Sequence, residues 1–338
     1  RRVPRDDPAG AGGLSMRRRA LLLPLLAAPA LARAQDGGAA FPNRPITLLV
    51  GFAPGGGTDI LARLLAPRLS EQFGQPVAVE NRTGGAGTIA AAAMVRARPD
   101  GHVVNLGTLS NHCQAPLAMR PPPFDPLRDV TPILLTATVP MVVTVPVTSP
   151  ARDMAGFVAH ARASRQRLNF ASNGVGSAQH LAGVLLMQAT GIEMVHVPYR
   201  GSGQVVSDLA AGVVDVNVDT LPSVLGQIRD GRLRGLAVTP ASRSPRLPEA
   251  PTMIEAGIAG YDITLWYMLF GPAGLPDAAT RRWAEALNAA LADAALRRRV
   301  EEAGFDPGGG TPAEAAALLR AEVARWGDVI GRAGIRLE

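Results

Sequence analysis

Lysine is absent from all 338 residues, so each of the 34 basic side chains is an arginine. That absence excludes a Walker A phosphate loop and any Schiff-base chemistry. Cysteine is nearly absent as well: Cys113 stands alone, so no internal disulfide can form and no cysteine pair can help hold a metal. The five histidines, His102, His112, His160, His180 and His196, never recur at metal-ligand spacing. A serine nucleophile elbow, G-x-S-x-G, is missing. Ser177 does precede His180 by one helical turn, but no acidic residue stands where a triad would need one, and serine at a helix start is a capping residue. Positive charge is scarce in the body of the chain. Of the net +6, seven arginines against Asp6 and Asp7 place +5 in residues 1–34, leaving +1 for the rest. A nearly neutral body gives no electrostatic basis for nucleic acid as a partner.

What the chain does have is centred on residues 46–73. Ile46 to Phe52 is a β-branched and aliphatic run suited to a buried parallel strand. Pro54 ends it, Gly55, Gly56 and Gly57 free the backbone, and Thr58 and Asp59 are residues expected at a helix N-terminus. Ile60, Leu61, Leu64, Leu65, Leu69 and Phe73 then fall on one helical face. A strand, a bare loop and a helix start present N–H donors and a positive dipole end to an anion, and a carboxylate is the expected ligand.

Upstream, Met16 opens a basic head, an apolar run from Ala20 to Leu31 and a small-residue site at Ala32-Arg33-Ala34. This is the pattern of a secretory signal peptide, with a run too short to span a bilayer, so a mature exported protein starting near Gln35 is expected. Downstream, Gly85, Gly87 and Ala90 fit the outline of a dinucleotide fingerprint. No strand feeds the first glycine directly and no acidic residue follows a later strand, so a glycine-rich cap on an alanine-rich helix is the plainer reading. A strand from His102 ends near Thr108 and Ser110. The apolar run Ile133–Val147, broken by Pro140 and Pro146, suits a segment crossing between domains. Residues 150–240 alternate helices with the strands LNFAS, MVHVPY, VVDVNVDT and LRGLAV, which implies parallel pairing with the glycine and serine loops at one sheet edge. After Val238 come a short helix at 252–256, an aromatic strand at 261–270, and helices at 278–290 and 312–333. These read as a return to the first domain.

The expected architecture is thus α/β with four segments: a leader at 1–34, domain 1 at 35–138, domain 2 at 139–238, and the rest of domain 1 at 239–338. Three loops, at 53–58, 172–177 and 199–203, each join a strand to a helix and are each rich in glycine or serine. Backbone and hydroxyl donors from two domains can hold a carboxylate without a fixed cation.

The ordered motifs FAPGGGTD, ENRTGGAGT, PDGH, NFASNGVGSAQHLAG, HVPYRGS, DLAAGVVDV, LAVTPASRSPRLPEAPTMIEAG and GPAGLP resemble the Bug-type receptors of tripartite tricarboxylate transporters over residues 41–336. The resemblance implies a type II periplasmic-binding-protein fold, two α/β domains joined by a two-segment hinge, closing on a small carboxylate: a di- or tricarboxylate, an amino acid or an aromatic acid. It implies no cofactor, no catalysis, a periplasmic location, and integral-membrane permease subunits as partners. A sensor kinase is the alternative partner, and a nucleotide-dependent oxidoreductase using GGAGTIA the enzymatic alternative. Carried onto this chain, the ligand-binding residues would be Phe52, Ala53, Pro54, Gly55, Gly56, Gly57, Thr58 and Asp59 in the first loop. Thr108 and Ser110 would join them, facing Ser172, Asn173, Gly174, Ser177, His180, Tyr199, Gly201 and Asp219. Ala53, Gly55, Gly56 and Thr58 would be the donors and Asp59 would fix their loop. Arg200 and Gln204 stand where the family usually has lysine and proline, Met268 replaces a small residue, and Pro67 lies inside the first helix.

Overall fold

The computed structural model describes residues 41–332. The expected leader and signal peptide, and the mature start near Gln35, lie outside the described residues. Strand β1 (Ile46–Val50) pairs in parallel with β2 (Val77–Asn81) on one side and β3 (Val103–Thr108) on the other. Ile46, Leu48, Leu49 and Val50 are all buried, as a central strand covered on both faces requires. Between β1 and β2 runs helix α1 (Gly57–Phe73), which buries Leu61, Leu65, Leu69 and Phe73 and ends at Gly74 in the left-handed conformation. Pro67 sits within it and leaves it unbroken. Helix α2 (Thr88–Val95) follows β2. Gly87, at φ 88°, packs so closely on Phe52 and Asn111 that a Cβ would lie 3.0 Å from each. The G-x-G-x-x-A outline therefore belongs to a helix start packed on the end of β1. After β3, a π-type turn (Ser110–Gln114) leads into the short α3 (Ala115–Ala118), neither of which the sequence pattern announces.

Strand β4 (Val130–Pro146) is 17 residues long and carries the architecture. From Val130 to Pro140 it pairs antiparallel with β9 (Thr264–Pro272), and from Met141 onward with β7 (Val216–Thr220) and β8 (Leu233–Val238). Pro140, which has no N–H to donate, falls at the changeover between partners. Beyond β4, helix α4 (Met154–Ala163) leads to β5 (Leu168–Ser172), α5 (Ala178–Thr190), β6 (Met194–Pro198), α6 (Ser202–Ala210), β7, α7 (Leu221–Arg229) and β8. β5, β6 and β7 are parallel, as alternation with helices predicts. β8 departs from that expectation, pairing antiparallel with β4 on the side away from β7.

The chain returns through β9, which lies between β3 and β4 in the strand order β2-β1-β3-β9-β4-β7-β5-β6. The expected helix at 252–256 is a set of hydrogen-bonded turns, and the aromatic strand starts at Thr264 rather than Tyr261. Helices α8 (Asp277–Ala292), α9 (Ala294–Glu302) and α10 (Pro312–Arg332) finish the fold. Between α9 and α10, β10 (Asp306–Gly309) adds to β4. Its sequence, DPGG, reads as a turn, but a Cβ at Gly308 would sit within clashing distance of the Leu135 backbone. Close approach to β4, not strand propensity, selects it.

Candidate functional site

The polar residues collect where the loops after β1, β3, β5, β6 and β7 meet. In the first loop, α1 begins at an N-cap glycine, Gly56, that supplies no side-chain cap. The first-turn N–H groups that a capping side chain would satisfy are thus left for other partners. Gly57 N–H finds Ser223 Oγ across the cleft at 3.0 Å, while the N–H groups of Gly56 and Thr58 have no hydrogen-bond partner among the described residues. Asp59 braces the loop: its carboxylate accepts from Gly55 N–H at 3.0 Å, Asn81 Nδ2 at 2.9 Å and Arg63 Nε at 3.0 Å. Burial would raise its pKa, but the hydrogen bonds from Arg63, Asn81 and Gly55, with the Arg63 charge, outweigh it and hold the carboxyl below the usual range.

The facing loop is built on α5. Ser177 caps that helix, its Oγ accepting from His180 N–H at 3.2 Å, and Ala178 N–H reaches Ser110 Oγ at 2.8 Å. Behind it, His180 and His196 stack 4.0 Å apart. His180 Nδ1 accepts from Gly176 N–H at 3.2 Å, and His196 Nε2 pairs with Ser172 Oγ at 2.6 Å. Burial lowers both imidazoles, His196 to about 4 with help from its neighbour's charge, so the pair is neutral at pH 7. A neutral pair can accept hydrogen bonds from the loop; a charged pair would repel itself.

The two sides touch. Ala53 N–H donates to Arg200 O at 3.3 Å, and a Cβ on Gly201 would lie 2.7 Å from Ala53 N. Between them is a cavity lined by Phe52, Gly56, Gly57, Thr58, Thr108, Ser110, Asn173, Gln179, Ser202, Thr220, Leu265 and Tyr267, none of them charged. It offers water about 20 Å³, room for roughly one molecule. A wider groove of about 370 Å³ lies at the far end of α5, beside Leu185, Tyr261, Arg325 and Trp326, and contains none of the loop amides.

Of the residues expected from sequence, Phe52, Gly56, Gly57, Thr58, Thr108, Ser110 and Asn173 line this cavity. Ala53 and Gly55, expected as donors, spend their N–H groups on Arg200 O and Asp59. Pro54 packs against α6, where a Cβ on Gly203 would meet its carbonyl at 2.7 Å. Ser172, Gly174, Ser177 and His180 shape the second loop from within. Gly201 closes against Ala53. Tyr199 turns away: its hydroxyl donates to Asp208 at 2.8 Å, and burial beside that carboxylate raises its pKa to about 12. Asp219 lies behind the wall, fully buried, accepting from Gln179 Nε2 and Thr220 N–H. Gln179, Ser202, Thr220, Leu265 and Tyr267 are additional lining residues. A polar residue in the first turn after the Ser177 cap was a readable signal for Gln179, whereas Leu265 and Tyr267 look in sequence like strand core.

A curled α/β sheet in which one long strand, β4, joins two halves, with strand-end loops meeting in a cleft, is the fold of periplasmic binding proteins. The protein BugD, a periplasmic binding protein, superposes with a TM-score of 0.84 at 30% identity over 88% of this chain and all of BugD. Rpa4515 of R. palustris, solved with adipate, gives 0.84 at 37% identity, over 88% of this chain and 99% of its own. MatC from Rhodopseudomonas palustris, solved with bound malate, gives 0.83 at 31%, over 86% and 100%. Residues 61–335 match the family described as tripartite tricarboxylate transporter family receptor, and the chain belongs to that family of solute-binding receptors.

Proposed function

We propose that this chain is an exported, non-catalytic receptor that binds a small carboxylate between the two sheet halves and delivers it to membrane permease subunits. The observation that carries this reading is the pair of uncommitted amides, Gly56 and Thr58, at the positive end of a 17-residue helix, facing a cavity with no charged lining residue. Such amides stabilise a carboxylate through N–H donation and the helix dipole, without the desolvation cost of a buried arginine. The adipate and malate held by Rpa4515 and MatC support the ligand class.

A space for about one water cannot admit a dicarboxylate, so binding requires the halves to part and re-close around it. We place the hinge where residues 139–141 and 239–263 knot together. Thr239 N–H donates to Met141 O at 2.9 Å, and Thr239 Oγ1 donates to Ile263 O at 2.5 Å. Among the described residues these boundaries divide the chain into lobes 41–138 with 239–332, and 139–238.

The test is calorimetry on protein unfolded and refolded to strip any copurified solute, titrated with mono-, di- and tricarboxylates and amino acids. At least one acid binding one-to-one is the expected result. Silence across the whole panel, with the refolded protein intact, overturns the proposal.

A further inference from the structure

The second-lobe wall of the cavity has a fixed polarity, and its source is Asp219. This carboxyl is fully buried and is met by donors on both oxygens: Thr220 N–H at 2.7 Å and Gln179 Nε2 at 3.1 Å on one, Asn217 Nδ2 at 3.1 Å on the other. Burial pushes the carboxyl above its ordinary range and outweighs these hydrogen bonds, but the Oδ1 that takes the Thr220 N–H is an acceptor in either protonation state. It therefore turns the amide nitrogen of Gln179 toward itself. In the same wall Ser202 Oγ accepts from Asn173 Nδ2 at 2.8 Å. The consequence lies at the cavity. Asn173 and Gln179, 6% and 4% exposed, each line it, and each is left with a carbonyl oxygen, Oδ1 and Oε1, that no donor among the described residues meets.

An unmet buried carbonyl is costly, and it is relieved by an N–H or O–H from whatever enters. The opposite wall presents donors, at Gly56 and Thr58, so the two walls ask for opposite things of one ligand. We infer that Asn173 and Gln179 are specificity residues, and that the ligand is a carboxylate bearing a hydrogen-bond donor, an amino or hydroxy acid. Its carboxylate sits at α1 and its ammonium or hydroxyl at the two carbonyls. This inference rests on the receptor reading and narrows it.

The experiment compares matched acids by calorimetry: succinate, malate and aspartate, and separately adipate, 2-hydroxyadipate and 2-aminoadipate. Within the series that fits, the donor-bearing acids are expected to bind roughly 10-fold or more tightly than the unsubstituted one, since only they pair the carbonyls. Gln179→Met keeps the side-chain length and removes the acceptor, so it should shrink that ratio by weakening the donor-bearing acids more than the unsubstituted one. Asp219→Asn, which frees the amides to reverse, should level the series; if it does not fold, Gln179→Met decides alone. Binding that ignores the donor, as a wall satisfied by a retained water would give, or a Gln179→Met loss equal for all three acids, overturns the inference and leaves the receptor reading standing. No binding by any acid of the wider panel overturns both.

Discussion

Replacing Gly203 with alanine should separate the stability of the fold from the closing of its cleft. Gly203 lies in the first turn of α6, where alanine is the better helix former by at most about 1 kcal/mol. Across the cleft, however, the new Cβ would stand 2.7 Å from Pro54 O, about 0.7 Å inside an ordinary contact. The neighbour is backbone and cannot swing aside, and the same approach carries the 3.3 Å hydrogen bond from Ala53 N–H to Arg200 O. Overpacking of this kind costs about 1–3 kcal/mol, which is roughly 5- to 150-fold in affinity if the liganded form closes as described. The unliganded protein, free to stay open, should keep its melting temperature or gain up to about 2 °C. Gly226→Ala in α7 is the control, because a Cβ there has nothing within 4 Å. It should raise stability and leave binding alone. Calorimetry and thermal melts on the three proteins, with the tightest acid found in the panel, decide the matter. Parental affinity in Gly203→Ala would refute closure through this contact, and so would an equal loss in the Gly226→Ala control.

Asp59→Ala leaves Gly55 N–H without its acceptor and Asn81 Nδ2 with only Phe52 O, and should cost about 1–3 kcal/mol in urea unfolding, with weakened acid binding and partial rescue by Asp59→Asn. Tyr261→Phe deletes a buried 2.6 Å hydrogen bond to Ala182 O on α5 and should cost about 0.5–1.5 kcal/mol by the same assay, the carbonyl keeping its place in the helix ladder. Acid should destabilise the fold in a defined window. Folded His196 stays neutral down to about pH 4, whereas the unfolded chain takes the proton near 6.5, so the unfolded state binds more protons in between and stability falls as pH drops. His112, lowered by burial to about 3, extends the same trend downward, and urea titrations of His196→Gln should show a shallower slope from pH 6.5 to 4.

The strand, bare loop and helix at 46–73 were legible because three local signals coincide there: a β-branched run, glycines, and an apolar face at helical spacing. Of the prolines that suggested a crossing segment in Ile133–Val147, Pro140 does fall where β4 changes partners, although the form of the segment, one long strand, was not legible. Nothing local distinguishes a proline bound for a turn from one placed at a change of strand partner. β10 was illegible for a related reason, since DPGG forms a strand only because β4 lies against it. Within the site, motif position named the first-loop residues, but it could not show that Ala53 and Gly55 spend their amides on Arg200 and Asp59. Nor could it show that Tyr199 is drawn off by Asp208. Tyr267 and Thr220 reach the cavity from separate strands, and only tertiary packing brings them together, with a Cβ at Gly57 lying 3.0 Å from Thr220 Oγ1 and closer still to the Tyr267 hydroxyl.

Amide NMR of the ¹⁵N-labelled protein during titration with a bound acid measures the central claim at its own atoms. The backbone N–H protons of Gly56 and Thr58, which meet no acceptor among the described residues, should move strongly downfield on saturation and gain protection from exchange. If the acid saturates the protein while those two resonances stay in place, the carboxylate is held elsewhere and the account is contradicted.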